Sequence, residues 1–179
     1  ACAVPLSAAA QDHRTVAEFL GWRADSTEFA FKRVRYKPGK PPRETWFLKR
    51  TSRSGVAQPL HTTDVRERLH KGGFTIKELE GQRLSQYVRA FMVGAGKTLR
   101  VELQVGKSKL SYTVWLDDAQ RPLTPKRLLR GYFKELWTSL EVRAFPSPSG
   151  DWVALVLTMS SPYEQKSWIE GVAVVDKPR

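Results

Sequence analysis

The chain has 179 residues, with 30 Lys and Arg against 18 Asp and Glu, a formal net charge of +12 and 41% hydrophobic residues. That length is one ordinary domain, able to bury roughly two-thirds of its unfolded surface without staples, and six Trp with 11% aromatic residues exclude a disordered composition. No apolar run approaches the roughly 20 residues of a membrane-spanning helix, one cysteine leaves no internal disulfide or Cys-rich zinc module, and the basic excess points to anionic partners rather than to a fold.

Residues 1–10, ACAVPLSAAA, are small and mostly apolar, and the chain turns polar at Gln11-Asp12-His13-Arg14. This is the pattern of the tail of a secretory signal, with Ala8-x-Ala10 as the cleavage pattern and Gln11 as the mature start. The expected organisation is therefore a signal tail over 1–10 and a single globular domain over 11–179, secreted or periplasmic. A lipid anchor on Cys2 ranks second, and an alanine-rich terminus without meaning ranks third. The chain contains no Asn, so it carries no N-glycosylation sequon.

Ala17 to Trp22 and Thr27 to Tyr36 read as two strands of a hairpin turning at Arg23-Ala24-Asp25-Ser26. Lys37-Pro38-Gly39-Lys40-Pro41-Pro42 reads as irregular, because its three prolines remove donors, and Glu44 to Lys49 resumes as a strand. Ser52 to Pro59 reads as a loop. Thr62 or Thr63 caps a predicted helix through Val65, Arg66, Leu69 and His70, stopped at Gly72-Gly73. Residues 74–93 fit helix and strand alike, with Tyr87 to Val93 favouring strand. Leu99, Val101, Leu103 and Val105 alternate with Arg100, Glu102 and Gln104, and Leu110, Tyr112, Val114 and Leu116 repeat that period, which makes a hairpin with one wet face. Thr124-Pro125-Lys126 looks like the capped start of a second helix, with Leu128, Leu129, Tyr132, Phe133, Leu136 and Trp137 as its apolar face. Leu140 to Phe145, Trp152 to Met159 and Trp168 to Val175 read as strands, and the unalternating run Val153 to Leu157 requires cover on both faces. The predicted class is α+β, a mostly antiparallel sheet with two short helices against it.

Local motifs carry little chemistry. Gly96-Lys97-Thr98 ends like a phosphate-binding loop, but the position that should hold the first glycine is Phe91, so a glycine turn between strands is the better reading. Gly106-Lys107-Ser108-Lys109-Leu110 lacks the second glycine of a nucleophile elbow. His13, His61 and His70 are too far apart for a tight metal pair, and Asp117-Asp118 reads as a turn acceptor. No metal site, cofactor or local catalytic constellation is expected, and an enzyme would need a site assembled from distant residues.

Charge says more. Lys32, Arg33, Arg35, Lys37, Lys40, Arg43, Lys49, Arg50 and Arg53 are nine cations in one stretch against Glu44 alone, interleaved with Tyr36, Trp46 and Phe47. If the flanking strands pair, these residues, Trp46 included, form a basic and partly aromatic surface for a polyanion. In a cytoplasmic protein that surface suggests nucleic acid. Behind an export signal the partners become lipopolysaccharide, phospholipid headgroups, acidic polysaccharide or an envelope protein. A merely solubilising face weighs equally.

Two segments match at an offset of 124: Arg23-Ala24-Asp25-Ser26-Thr27-Glu28-Phe29-Ala30-Phe31 and Ser147-Pro148-Ser149-Gly150-Asp151-Trp152-Val153-Ala154-Leu155. Both resemble the turn-and-strand signature of TolB-like and WD-type propeller blades, although two copies cannot build a propeller. The order of elements resembles a bacterial family of predicted secreted proteins without an assigned activity. The resemblance implies an exported domain with blade-like hairpins at both ends of the chain. The expectation that follows is an exported, non-enzymatic domain binding an envelope component or anionic polymer. The rivals are an exported enzyme or enzyme inhibitor with a non-local site, and a nucleic-acid-binding protein if the N-terminus is no signal.

Overall fold

The computed structural model describes residues 13–51, 57–60, 69–75, 80–84, 88–94, 96–106, 110–133, 139–161 and 164–174. Among the described residues thirteen strands run β1 (His13–Arg23), β2 (Glu28–Lys37), β3 (Lys40–Arg50), β4 (Gln58–Leu60), β5 (Phe74–Thr75), β6 (Glu80–Leu84), β7 (Val88–Gly94), β8 (Lys97–Val105), β9 (Leu110–Asp118), β10 (Lys126–Phe133), β11 (Ser139–Pro146), β12 (Trp152–Ser160) and β13 (Glu164–Ala173). They form a nine-stranded sheet in the order β4-β3-β2-β1-β13-β12-β11-β6, with β5 paired to β1, and a four-stranded sheet in the order β10-β9-β8-β7. β1 and β13 are parallel, which joins the first and last of these strands in the middle of the larger sheet.

The α+β expectation is overturned: among the described residues no helix reaches seven residues. Most of the first predicted helix, from Thr62 to Arg68, lies outside the described residues; what is described, 69–71, is a single helical turn before Gly72-Gly73. The second predicted helix is β10, paired antiparallel with β9 from Lys126↔Leu116 to Phe133↔Leu110. A register shift between Arg127 and Leu129 makes Leu128 an extra residue, and Leu128 and Leu129 both pack against the core. A bulge of this kind turns two successive side chains toward one face and thereby imitates helical spacing.

Two cores follow from the layering. Leu99, Val101, Leu110, Val114 and Leu116 of the small sheet pack on Leu140, Val142, Val153, Leu155, Leu157 and Met159 of β11 and β12. The other face of β12, with Ala154 and Val156, packs with Phe19, Trp22, Phe29, Phe31, Phe145 and Ile169. Since Phe19 and Phe29 come from β1 and β2 of the same sheet, that sheet coils until its first half covers its second, as strongly twisted sheets do. Phe19 stacks on Phe145 with ring centroids 4.3 Å apart. Phe29 also sits 3.1 Å from where a Cβ would be on Gly171 of β13. The run Val153 to Leu157 is buried throughout, covered on both faces as its unbroken hydrophobicity requires.

The two turns that match at the offset of 124 lie side by side. Trp22 Nε1 donates to the Phe145 carbonyl at 2.9 Å, and the Ser149 amide donates to Ser26 Oγ at 3.0 Å. Ser26 holds φ at +60°, a left-handed conformation that costs a serine roughly 1–2 kcal/mol. Ala30 and Ala154 are both fully buried, in β2 and β12.

The expectation of irregular chain over 37–42 also fails. Only Pro38 and Gly39 make the turn, Gly39 with φ at +67°, as the third residue of a type II turn requires. Pro41 and Pro42 lie inside β3. β4 pairs with Trp46, Phe47 and Leu48, so among the described residues no strand pairs with the outer edge of β3 at the prolines and a missing donor breaks no ladder there. Proline is tolerated on an edge or at a bulge for that reason, and it also discourages edge-to-edge pairing.

Candidate functional site: the bulged tip of the β2–β3 hairpin

β2 and β3 pair as Lys32↔Trp46, Arg33↔Thr45, Val34↔Glu44, Arg35↔Arg43 and Lys37↔Lys40, with a register shift between Arg35 and Lys37. Residues directly opposite share a face of the sheet, and residues two apart on one strand share it as well. Arg33, Arg35 and Lys37 therefore line one face of β2. Lys40 and Arg43, three apart, would point to opposite faces of a regular strand. The extra residue in the Pro41-Pro42 bulge brings both onto the face of Arg35 and Lys37.

The result is an open cleft of about 470 Å³ lined by Arg35, Lys37, Lys40, Pro41, Pro42 and Arg43. Arg35 and Arg43 form one like-charge pair directly across the hairpin and Lys37 and Lys40 a second; each such pair costs roughly 0.2–1 kcal/mol. No carboxylate lines the cleft among the described residues. Arg33 extends the row toward the core, with its guanidinium over the Phe47 ring at 5.0 Å. Burial, and secondarily the charge of Arg35, hold the Arg33 pKa below its ordinary value.

The remaining expected residues stand apart from this cluster. Lys32, on the opposite face, is 3.0 Å from Glu18 and 3.4 Å from Glu44, lies over the Trp46 ring at 5.9 Å, and has its pKa raised chiefly by the hydrogen bond to Glu18. Arg50 shares that face and is exposed. Lys49 lies on the face of Arg33, but its ammonium donates to Glu170 at 2.8 Å and to the Ile169 carbonyl at 3.3 Å, so it ties β3 to β13. Arg53 lies outside the described residues. Strand alternation thus divides the contiguous basic stretch between two faces, with Lys32 paired to Glu18 and Glu44 on one and Arg35, Lys37, Lys40 and Arg43 gathered at the tip on the other. Sequence reasoning missed Pro41 and Pro42 as part of the site, although Pro38-Gly39 between Lys37 and Lys40 is itself a turn signal that keeps both flanks in the strands.

The rejected motifs have structural employment. Lys97 Nζ donates to the Val174 carbonyl at 3.1 Å, Gly96 turns β7 into β8 with φ at +73°, and Asp118 accepts from the Gln120 amide at 2.9 Å. Asp117 instead accepts from Arg100 Nε at 2.7 Å, on the wet face of the small sheet, where Glu102 takes Arg100 and the Trp115 indole. His70 is exposed and His61 lies outside the described residues. Among the described residues no three His, Cys, Asp or Glu side chains gather as a metal site, and no helix is long and apolar enough to cross a membrane. No family model, curated protein or solved structure matches the chain.

Proposed function

We propose that this protein is an exported, non-enzymatic domain that binds an anionic polymer of the cell envelope through the tip of the β2–β3 hairpin. The observation that carries this reading is the two like-charge cross-strand pairings, Arg35 across from Arg43 and Lys37 across from Lys40. Edge protection accounts for the prolines, and solubility accounts for scattered cations. Neither accounts for four cations facing one another around a cleft at a cost in stability. An anion seated between them reverses the sign of that cost and makes the arrangement favourable only when occupied.

Binding of this kind releases counterions, so retention on heparin or lipopolysaccharide resin falls steeply as salt rises toward about 0.2 M, where the Debye length is under about 8 Å. Changing Arg35, Lys37, Lys40 and Arg43 to Glu abolishes retention and leaves the melting temperature little changed, since all four are exposed and like charges face one another across the hairpin in both proteins. Changing Lys32 and Arg50, on the other face, has little effect beyond the lost net charge. Elution of the quadruple variant at the parent's salt concentration refutes the reading. The export component is tested separately: protein recovered from the native host starts at or near Gln11, whereas retention of residues 1–10 on that protein counts against cleavage.

A further inference from the structure

The cleft has a geometry that general attraction to polyanions does not require. Paired positions across antiparallel strands lie about 5 Å apart, and same-face positions along a strand about 7 Å apart. Arg35, Arg43, Lys37 and Lys40 therefore root four cations at the corners of a patch about 5 by 7 Å. Their side chains line an open cleft together with Pro41 and Pro42, whose rings fix the backbone and expose no donor of their own. All four are exposed, and none of them makes a side-chain ion pair or hydrogen bond among the described residues.

We infer that this cleft is a discrete site for a compact phosphorylated group, a diphosphate or a pair of neighbouring phosphomonoesters, an inference that rests on the polyanion reading and narrows it. Two phosphoryl groups bring about three to four negative charges at neutral pH into one site, which matches the four cations. A carboxylate polymer spreads its charges along its length and leaves most of this density unmatched. The cation types divide the work. Arg35 and Arg43, nearer the sheet, offer planar forks for two-point contact with phosphate oxygens, and Lys37 and Lys40 at the tip supply mobile point charges.

The test exchanges two adjacent residues, Arg43→Glu with Glu44→Arg. This double variant keeps composition and net charge but sets a carboxylate in the cleft and moves the cation to the Lys32 face. Inorganic pyrophosphate is titrated into the parent and the variant by calorimetry at low salt, with heparin retention and the melting temperature measured in parallel. The expected result is saturable one-to-one binding to the parent, weakened about tenfold or more in the variant, while heparin elution shifts far less. Arg35→Gln, which leaves β3 untouched, serves as a second variant and weakens pyrophosphate binding in the same direction. Vesicles containing phosphatidic acid, compared with phosphatidylcholine alone, separate a lipid headgroup from a soluble phosphate as the source, and binding to either supports the site. Equal pyrophosphate affinity in parent and variants, or no saturable binding to pyrophosphate and none to the phosphatidic acid vesicles, overturns it. If the parent still binds heparin in that case, the polyanion reading stands without a discrete site; if it binds neither, both fall.

Discussion

Gly131→Ala separates the two structures that the sequence offers for residues 126–133. In the middle of a helix, replacing glycine with alanine stabilises by about 1 kcal/mol. In β10 the same change meets a wall. A Cβ on Gly131 would stand 2.3 Å from Tyr112 Cε1 and 2.5 Å from Cζ and the phenol oxygen. Tyr112 is 5% exposed and packs beside Trp168 at 5.9 Å, so its ring has little room to withdraw. The aromatic ring laid over a strand glycine is a known way to cover the gap that glycine leaves. Overpacking of this order costs about 1–3 kcal/mol, or a fall in melting temperature of about 2–4 °C per kcal/mol for a chain of this size. Chemical denaturation of Gly131→Ala, with Tyr112→Leu as the partner in a double-mutant cycle, measures the effect, and most of the cost should vanish once the ring is gone. A Gly131→Ala variant more stable than the parent would refute the strand and restore the helix.

Three further outcomes follow from the two joined turns and the buried phenol. Ser26→Ala leaves the Ser149 amide without its acceptor and costs about 1–2 kcal/mol. Ser26→Gly loses the same bond but relieves the left-handed backbone, so it should be the milder of the two in urea denaturation, and the reverse order would mean that the strain is not borne at Ser26. Trp22→Phe keeps most of the ring contacts but removes the indole donor to the buried Phe145 carbonyl, which β11 still pairs opposite Ala154, with an expected loss of about 0.5–1.5 kcal/mol; a loss within experimental error would show that this hydrogen bond holds nothing in place. Burial raises the Tyr112 pKa above its ordinary value of 10.0, so the folded state keeps the proton longer than the unfolded chain does. The stability tied to that proton is fully present below the unfolded pKa and is lost as pH rises through the folded one. Tyr112→Phe should therefore flatten the alkaline limb of a stability-versus-pH curve, and an unchanged limb would place the titration elsewhere.

The amino-acid sequence on its own determined the elements whose alternation is unbroken. Leu99 to Val105 and Leu110 to Leu116 could only put one face in a core and one in water, and Val153 to Leu157 could only be a strand covered on both sides. The basic stretch from Lys32 to Arg53 was legible as charge, but not as a site. Tertiary structure decided the rest, and it did so at β-bulges. The shift between Phe19 and Gly21 lets Phe19 and Trp22, three apart, enter one core. The extra residue Leu128 makes a strand look like a helix behind a Thr-Pro start. The shift at Arg35 and Lys37 gathers Lys40 and Arg43 beside Arg35 and Lys37. Local periodicity cannot reveal such an insertion, because a bulge is defined by the partner strand: one added residue reverses which face every later side chain takes, and only the pairing across the sheet shows where that reversal falls.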